Sequence, residues 1–123
     1  PYDYAIFQNL GYQGLYGGLG MKEIHRKKGL KKSQKILDHM GSEELAANLF
    51  RATQAEAKLR REGTKGKNKA NELHREVGAM VRRTIKAIGG VMPENLPVAD
   101  GINKTITRIK KSTAVKKIDG GKK

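Results

Sequence analysis

The sequence contains no cysteine and few acidic residues, with 12 Asp and Glu among 123 residues. The absence of cysteine excludes disulfides and thiolate metal sites, and it suits a reducing cytoplasm. No apolar run approaches the roughly 20 residues that cross a bilayer, and no signal-peptide pattern is visible. We therefore expect a cytoplasmic protein without a membrane partner. Since residue 1 is proline rather than methionine, we also expect the chain to be part of a longer protein.

Basic residues are abundant. Lys and Arg number 26, the net charge is +14 and the isoelectric point is about 10.2. A charge excess of this size repels itself and usually has an anionic partner. Nucleic acid is the first candidate and an anionic membrane surface is the second. We predict binding to nucleic acid, and association with the nucleoid when the protein is bound to DNA.

No group of residues has the spacing of a catalytic or cofactor site. The histidines, His25, His39 and His74, are 14 and 35 positions apart, whereas metal sites usually draw on close pairs. The serines have no nucleophile context. The glycines of residues 11–20 match neither the Walker A pattern nor the dinucleotide-binding pattern. We predict no catalytic residue, no metal, no cofactor and no enzymatic activity.

Two long segments have the periodicity of amphipathic helices. In the first, Ser42 is a candidate N-cap, and the predicted apolar face consists of Leu45, Leu49, Ala52 and Leu59, with Phe50 beside it. In the second, the apolar stripe consists of Ala70, Leu73, Val77, Met80, Val81, Thr84, Ile85 and Ile88. No segment alternates convincingly with the period of a strand. The prediction is an all-α fold built on an antiparallel helix pair, at about 43–62 and 70–88.

Shorter helices are predicted on both sides of this pair. Asp3 is a candidate cap of a helix that ends at Gly11, and residues 21–28 form a helix that stops at Gly29. Ser33 is a candidate cap of a further short helix that ends at Gly41. We predict one all-α domain over residues 1–100. Residues 101–123 are predicted to contain a last short helix and a basic, frayed tail.

The stretch GYQGLYGGLG, residues 11–20, contains five glycines and two tyrosines. Tyr12 and Tyr16 lie four residues apart and could stack on unpaired bases. Alternatively, both tyrosines pack against the helix pair, and the glycines permit a close approach of the chain. Packing is favoured for Tyr16, which has Leu15 and Leu19 nearby, whereas both alternatives stay open for Tyr12.

Three clusters of basic residues carry most of the positive charge, at 22–35, at 58–69 and beyond residue 103. Such clusters neutralise phosphates and give affinity without sequence preference, although they could also be solvated faces. The residues predicted to bind nucleic acid are Lys22, Arg26, Lys27, Lys28, Lys31, Lys32, Lys35, Lys58, Arg60 and Arg61. Residues 21–40 also match a helix-turn-helix weakly. Gly29 suits its turn, but Lys28 and Lys35 fall at positions that this motif usually fills with apolar groups.

Three stretches resemble the C-terminal half of the bacterial DNA-damage-inducible protein D family. They are FQNLGYQGLYGGLG, EIHRKKGLKKSQKILDHMGSEELAANLFRATQAEAKLRREG and IGGVMPENLP. The resemblance runs from about Asp3 to Pro97. It implies a non-enzymatic part in the SOS response and a modulator of RecA recombinase filaments on single-stranded DNA. It also implies an absent N-terminal domain similar to the BRO-N domain of viral and phage regulators, and it assigns no functional residue.

Three functions are therefore open. The first is a non-catalytic DNA-damage-response module that binds DNA, with single-stranded DNA favoured, or a DNA-bound protein. The second is a protein-interaction or dimerisation module, which could form a homo-oligomer and whose lysines would serve only solvation. The third is a transcriptional regulator or antirepressor, which would need a preference for duplex sequence.

Overall fold

Residues 3–100, the part that the computed structural model describes, fold into helices joined by turns and loops. The α-helices are α1 (Tyr4–Leu15), α2 (Met21–Lys27), α3 (Ser42–Glu62) and α4 (Lys67–Ala87), and short 3₁₀ helices occupy Ile36–His39 and Pro93–Asn95. The all-α prediction is confirmed, since the described residues contain no strand beyond an isolated antiparallel bridge between Met40 and Val98. Within the same range no helix is long and apolar enough to span a bilayer. The predicted last helix and basic tail lie outside the described residues.

The turn between α3 and α4 makes these helices the predicted antiparallel pair. Gly63 adopts the left-handed conformation, with φ at 59°, and its N–H donates to Arg60 O at 3.2 Å. The N–H of Thr64 donates to Leu59 O at 3.0 Å, so the turn satisfies two of the last carbonyls of α3. The chain then returns along α3, and Ala55 packs in one apolar cluster with Leu73 and Val77.

α1 lies parallel to α4, and α3 is antiparallel to both. Residues near the start of α1 contact the first half of α4, and residues at its end contact the second half. His74 Nδ1–H donates to Phe7 O at 2.9 Å, and Arg82 Nη1–H donates to Leu15 O at 3.1 Å. α1 does not end at Gly11 as predicted, because it continues through Gly11 and Gly14 to Leu15. The three long helices enclose the core between them.

Glycines allow the backbones of α1 and α4 to touch. A Cβ atom at Gly78 would lie 2.7 Å from Gly11 O and 2.8 Å from Leu15 N, and one at Gly14 would collide with the backbone of α4. Glycine within a helix costs about 1 kcal/mol relative to alanine. Here that cost is offset by the contacts that the close approach creates. Gly11, which was predicted to end the first helix, therefore lies inside it.

The most buried face of α3 is polar, and the predicted apolar face packs against the core only in part, through Leu45 and Leu59. The buried residues of α3 are Glu44, Asn48, Arg51 and Ala55. Leu49 and Phe50 are 57% and 56% exposed, so the prediction is wrong for Leu49, and Phe50 beside it also lies outside the core. α4 follows its prediction more closely, because Ala70, Leu73, Val77 and Val81 are buried, whereas Met80 and Ile88 are exposed.

The helix caps agree with the sequence prediction only in part. Asp3 caps α1 as predicted, accepting from the N–H groups of Ala5 at 2.9 Å and Ile6 at 3.4 Å. Ser42 is the first residue of α3 rather than its cap, because Gly41 takes the N-cap position. Ser33 caps no helix among residues 3–100, and the helix predicted after it is the four-residue 3₁₀ turn Ile36–His39, whose N-cap is Lys35. This turn is too short to serve as the second helix of a helix-turn-helix.

Residues 91–100 are tied back to the bundle at two points. Arg82 forms a bidentate ion pair with Glu94, with both N–O distances at 2.8 Å. The N–H of Ala99 donates to His39 O at 3.0 Å, and His39 Nδ1–H donates to Ala99 O at 2.9 Å. Burial of Glu94 opposes its ionisation, but the hydrogen bonds from Arg82 and the backbone, together with the positive charges of Arg82 and Lys27, outweigh this effect and lower the pKa of the Glu94 carboxyl.

The close approach of α1 and α4 can be tested with one methyl group. Gly78→Ala should lower the free energy of unfolding by about 1–3 kcal/mol, because the new methyl overpacks two backbones. Urea denaturation measures this loss. Gly41→Ala is the matched control, since a Cβ there meets no atom within 4 Å and its φ is −72°. Equal stability of the two variants would contradict the backbone contact at Gly78.

Candidate nucleic-acid interface

Six basic side chains on α2 and the loop after it form one exposed surface, which we call the α2 basic surface. Its members are Lys22, Arg26, Lys27, Lys31, Lys32 and Lys35, all exposed. Among residues 3–100 none of the six forms an ion pair. The nearby acidic residue Glu23 is engaged elsewhere, because its carboxylate accepts from the Gly20 N–H at 3.2 Å and closes the start of α2. The positive charge of this surface is therefore available to an external anion.

Hydrogen bonds hold the lysine-bearing loop against α2. Gln34 is central: its side-chain oxygen accepts from the Lys31 N–H at 2.7 Å, and its carbonyl accepts from His25 Nε2–H at 2.9 Å. The N–H of Leu30 donates to His25 O at 3.3 Å, which closes the turn that Gly29 makes at φ 67°. The loop lysines therefore lie beside the end of α2, where their charges add to those of the helix.

Lys28 does not belong to this surface, so its predicted role in phosphate binding is corrected. Its ammonium group lies 2.7 Å from Glu44 Oε1 and also donates to His39 O at 3.3 Å. The two side chains of the pair are 6% and 1% exposed. A buried ammonium that neutralises a buried carboxylate cannot leave it for a phosphate without leaving that charge uncompensated. Lys28 therefore joins α2 to α3 rather than binding an anion.

A second group of cations lies at the other end of α3. The exposed members are Arg60, Arg61, Lys65, Lys67 and Lys69, which we call the turn basic surface. Lys58, also predicted to bind nucleic acid, forms an ion pair with Glu62 one turn further along α3, so its charge is partly compensated. Since α3 has 21 residues and rises 1.5 Å per residue, about 30 Å separate the two surfaces. The structure does not bring the two predicted clusters together, and the third cluster lies outside the described residues.

Tyr12 and Tyr16 are both buried, at 3% and 1% exposure, so neither ring is open to an unpaired base. The prediction that Tyr16 packs is confirmed, and Tyr12 packs as well. The hydroxyl of Tyr16 donates to the Glu44 carboxylate, and the Arg51 guanidinium lies 4.7 Å from the centre of the Tyr12 ring. Burial raises the pKa of both phenols, so each keeps its proton. Base stacking by these tyrosines is therefore not an activity of this fold.

Behind the tyrosines, buried polar side chains form a continuous hydrogen-bonded chain that the sequence analysis missed. Asn48 Nδ2 donates to the Tyr16 hydroxyl at 3.0 Å, and its Oδ1 accepts from Arg51 Nη2 at 3.0 Å. Arg51 Nη1 in turn donates to His74 Nε2 at 2.6 Å. The signal for this chain was present, because residues 44, 48 and 51 share one helical face. It was overlooked because that face contains no large apolar residue.

His74 is held in its neutral form. Its Nδ1 carries the proton, because the Phe7 carbonyl that it contacts can only accept, and Nε2 is left to accept from Arg51. Burial, helped by the positive charge of Arg51, lowers the pKa of the His74 imidazole to about 4. Burial also lowers the pKa of the Arg51 guanidinium, whose Nε atom has no hydrogen-bond partner among the described residues.

A cavity of about 270 Å³ lies between α2 and residues 93–98. Its walls include Glu44 and Glu94, but both carboxylates are already bound to cations, Lys28 and Arg82 respectively. Throughout residues 3–100, no three acidic or histidine side chains converge closely enough to hold a metal ion. We therefore place the candidate site on the exposed cations rather than in this cavity.

Comparison with known proteins assigns the family. The model of the DinD C-terminal domain matches residues 1–106. The chain belongs to this family. It is 68% identical over 95 residues to DNA damage-inducible protein D of Escherichia coli strain K12, a match that covers 77% of this chain and 35% of that protein. The chain thus spans about a third of the length of this curated relative. No solved structure matches it.

Membership of the DinD C-terminal domain family agrees with the resemblance noted in the sequence and connects the chain to proteins induced by DNA damage. The matched region contains all of α1 to α4 and therefore both basic surfaces. The α2 basic surface is thus part of the family domain itself.

The structural role of Lys28 can be separated from phosphate binding by its effect on stability. Lys28→Met should lower the free energy of unfolding by about 3–5 kcal/mol, because the Glu44 carboxylate loses its buried counterion. The double variant Lys28→Met/Glu44→Gln should recover part of this loss, since no buried charge is then unpaired. Lys22→Met, at an exposed lysine of the same helix, is the control. A melting curve of Lys28→Met that coincides with that of the control would contradict the buried pair.

The low pKa of His74 makes stability depend on pH. Between about pH 6.5 and 4 the unfolded chain binds a proton at His74 that the folded protein excludes, so the free energy of unfolding should fall as the pH is lowered through this window. The expected contribution is on the order of 2 kcal/mol. In His74→Gln there is no imidazole to protonate, and the fall should be smaller by about that amount. Urea denaturation at pH 7, 5.5 and 4 measures the fall in the free energy of unfolding for the wild type and for His74→Gln. Equal falls in the two proteins would show that His74 is not the group responsible.

Proposed function

We propose that the chain is a non-catalytic module of the DNA-damage response that binds single-stranded DNA through the α2 basic surface. The observation that carries this proposal is the set of six exposed cations without an ion-pair partner among residues 3–100, spread over only 14 positions of the chain. The name of the curated relative supports the setting in DNA damage.

The arrangement of these cations favours contacts to phosphates over recognition of bases. Lysine is a point charge on a flexible stem, and five of the six cations are lysines. The element that directly follows α2 is a four-residue 3₁₀ turn, so α2 is not paired with a recognition helix as in a helix-turn-helix. The buried tyrosines add no stacking platform. We therefore propose electrostatic binding with little sequence preference, which removes the support for a sequence-specific transcriptional regulator.

The second candidate, modulation of RecA filaments on single-stranded DNA, follows from the family resemblance. The α2 basic surface would let the chain reach the DNA of such a filament, while exposed apolar side chains such as Leu49 and Phe50 on α3 offer a surface for a protein. Both candidates share the dependence on single-stranded DNA. They differ in whether the affinity for single-stranded DNA coated with RecA exceeds the affinity for bare single-stranded DNA.

Binding to a fluorescent oligothymidylate at two salt concentrations tests the leading proposal. Replacing Lys27, Lys31, Lys32 and Lys35 together with glutamine should weaken binding and reduce the slope of log affinity against log salt. The expected reduction is about 0.7 for each phosphate contact that is lost. Lys28 is left unchanged in this variant, because its replacement would affect folding.

The turn basic surface supplies a matched control. Replacing Arg61, Lys65, Lys67 and Lys69 with glutamine removes the same number of charges from the opposite end of α3. If the α2 basic surface is the site, this control should keep most of the affinity and slope. Equal losses in the two variants would mean that total charge, rather than this surface, governs binding. Unchanged binding after the α2 replacements would refute the proposal.

A further inference from the structure

An apolar strip is exposed on the outer side of the α3–α4 pair. Leu49 is 57% exposed and Met80 is 56% exposed. Along α3, Leu49 lies between Leu45 and Ala55, and both of these neighbours pack in the apolar clusters of the bundle. Along α4, Met80 lies in the same way between Val77 and Ile85. The helices are antiparallel, so the two exposed side chains lie at about the same level of the pair. They continue the core outward to a surface that residues 3–100 leave uncovered.

Two unpaired opposite charges flank Met80 on the same face of α4. Glu76 lies one turn before Met80 and Arg83 one turn after it, and both are exposed. Neither forms an ion pair among the described residues. Seven residues apart, they are about 10 Å from each other along the helix axis, too far for a direct contact. The midpoint between the two charges lies next to Met80, so they suit a partner in which the same two charges run in the opposite direction.

We propose that this face binds a second copy of the chain in an isologous dimer, with the two-fold axis next to Met80. Antiparallel packing of the two α4 helices then covers both Met80 side chains. Such packing places Glu76 of each copy opposite Arg83 of the other. This contact occurs twice, because the two copies are related by a two-fold axis. The exposed carboxylates of Glu56, Glu72 and Glu76 lie on this helix pair and offset part of the repulsion between two highly basic chains.

Sedimentation equilibrium of the 123-residue chain over a range of concentrations tests the proposal. The wild type should show a monomer–dimer equilibrium. Glu76→Arg and Arg83→Glu should each raise the dimer dissociation constant about tenfold or more, because each places like charges opposite each other twice. The double variant Glu76→Arg/Arg83→Glu exchanges the two charges and should restore the wild-type constant. If each single change weakened the dimer only by damaging the fold, adding the second change would not restore dimerisation.

Two further variants sharpen the result. Met80→Glu places a charge at the axis and should abolish dimerisation, while circular dichroism stays that of the folded protein, because the side chain is exposed in the monomer. Lys22→Glu, which removes the same charge as Arg83→Glu but lies on α2, should leave the dimer unchanged. A wild-type chain that is monomeric at all concentrations would overturn the proposal. So would a dimer that is indifferent to Glu76→Arg or one that the double reversal fails to restore.

Discussion

The backbone contact between α1 and α4 at Gly11, Gly14 and Gly78 is the constraint on which the rest of the fold depends. With no side chains between them, the two helices lie so close that the Phe7 ring packs against the His74 ring, with ring centres 4.2 Å apart. The same approach turns Tyr12 and Tyr16 toward α3. A phenol hydroxyl and an imidazole are thereby placed inside the bundle, and both need hydrogen-bond partners, since an unsatisfied buried polar group costs about 1–3 kcal/mol. Whatever helix covers them must bring polar atoms.

α3 meets this need with Glu44, Asn48 and Arg51, and its composition has two consequences elsewhere. The buried carboxylate of Glu44 needs a counterion and takes Lys28 from α2, which ties α2 to the bundle and removes one cation from the basic surface. The polar residues also occupy the inward face of α3, so the leucine and phenylalanine that alternate with them are turned outward. The exposed apolar strip and the buried charges are therefore two results of the same helix rotation.

The periodicity of the sequence predicted where α3 and α4 lie, because long amphipathic segments are specified by many residues at once. It failed at α1, because glycine at position 11 predicts the end of a helix. The use of Gly11 and Gly14 as contact points depends on Gly78, which is remote in sequence. The prediction failed again for Leu49, whose hydrophobicity favours burial. Tyr16 and His74 need hydrogen-bond partners from α3, and this need is not visible in the sequence of α3 itself. Nothing local separates Lys27 from Lys28 either: one faces water and the other a carboxylate 16 residues further on. The exposed members of the α2 basic surface, by contrast, could be predicted from the density of positive charge in the sequence alone.

The two proposed surfaces have a geometric relation that bears on how the chain would hold DNA. The α2 basic surface lies at the end where α3 begins and α4 finishes, while Met80 is near the centre of the outer side. Seven residues separate Met80 from the last residue of α4, about 10 Å along the axis. In an antiparallel dimer the two α2 basic surfaces therefore point in opposite directions and are at least about 20 Å apart. A single strand of DNA that spans this distance would contact both, and the second contact would form at a high effective concentration. Weak phosphate contacts on each copy would then act together, so self-association through α4 and binding of DNA through α2 would strengthen each other.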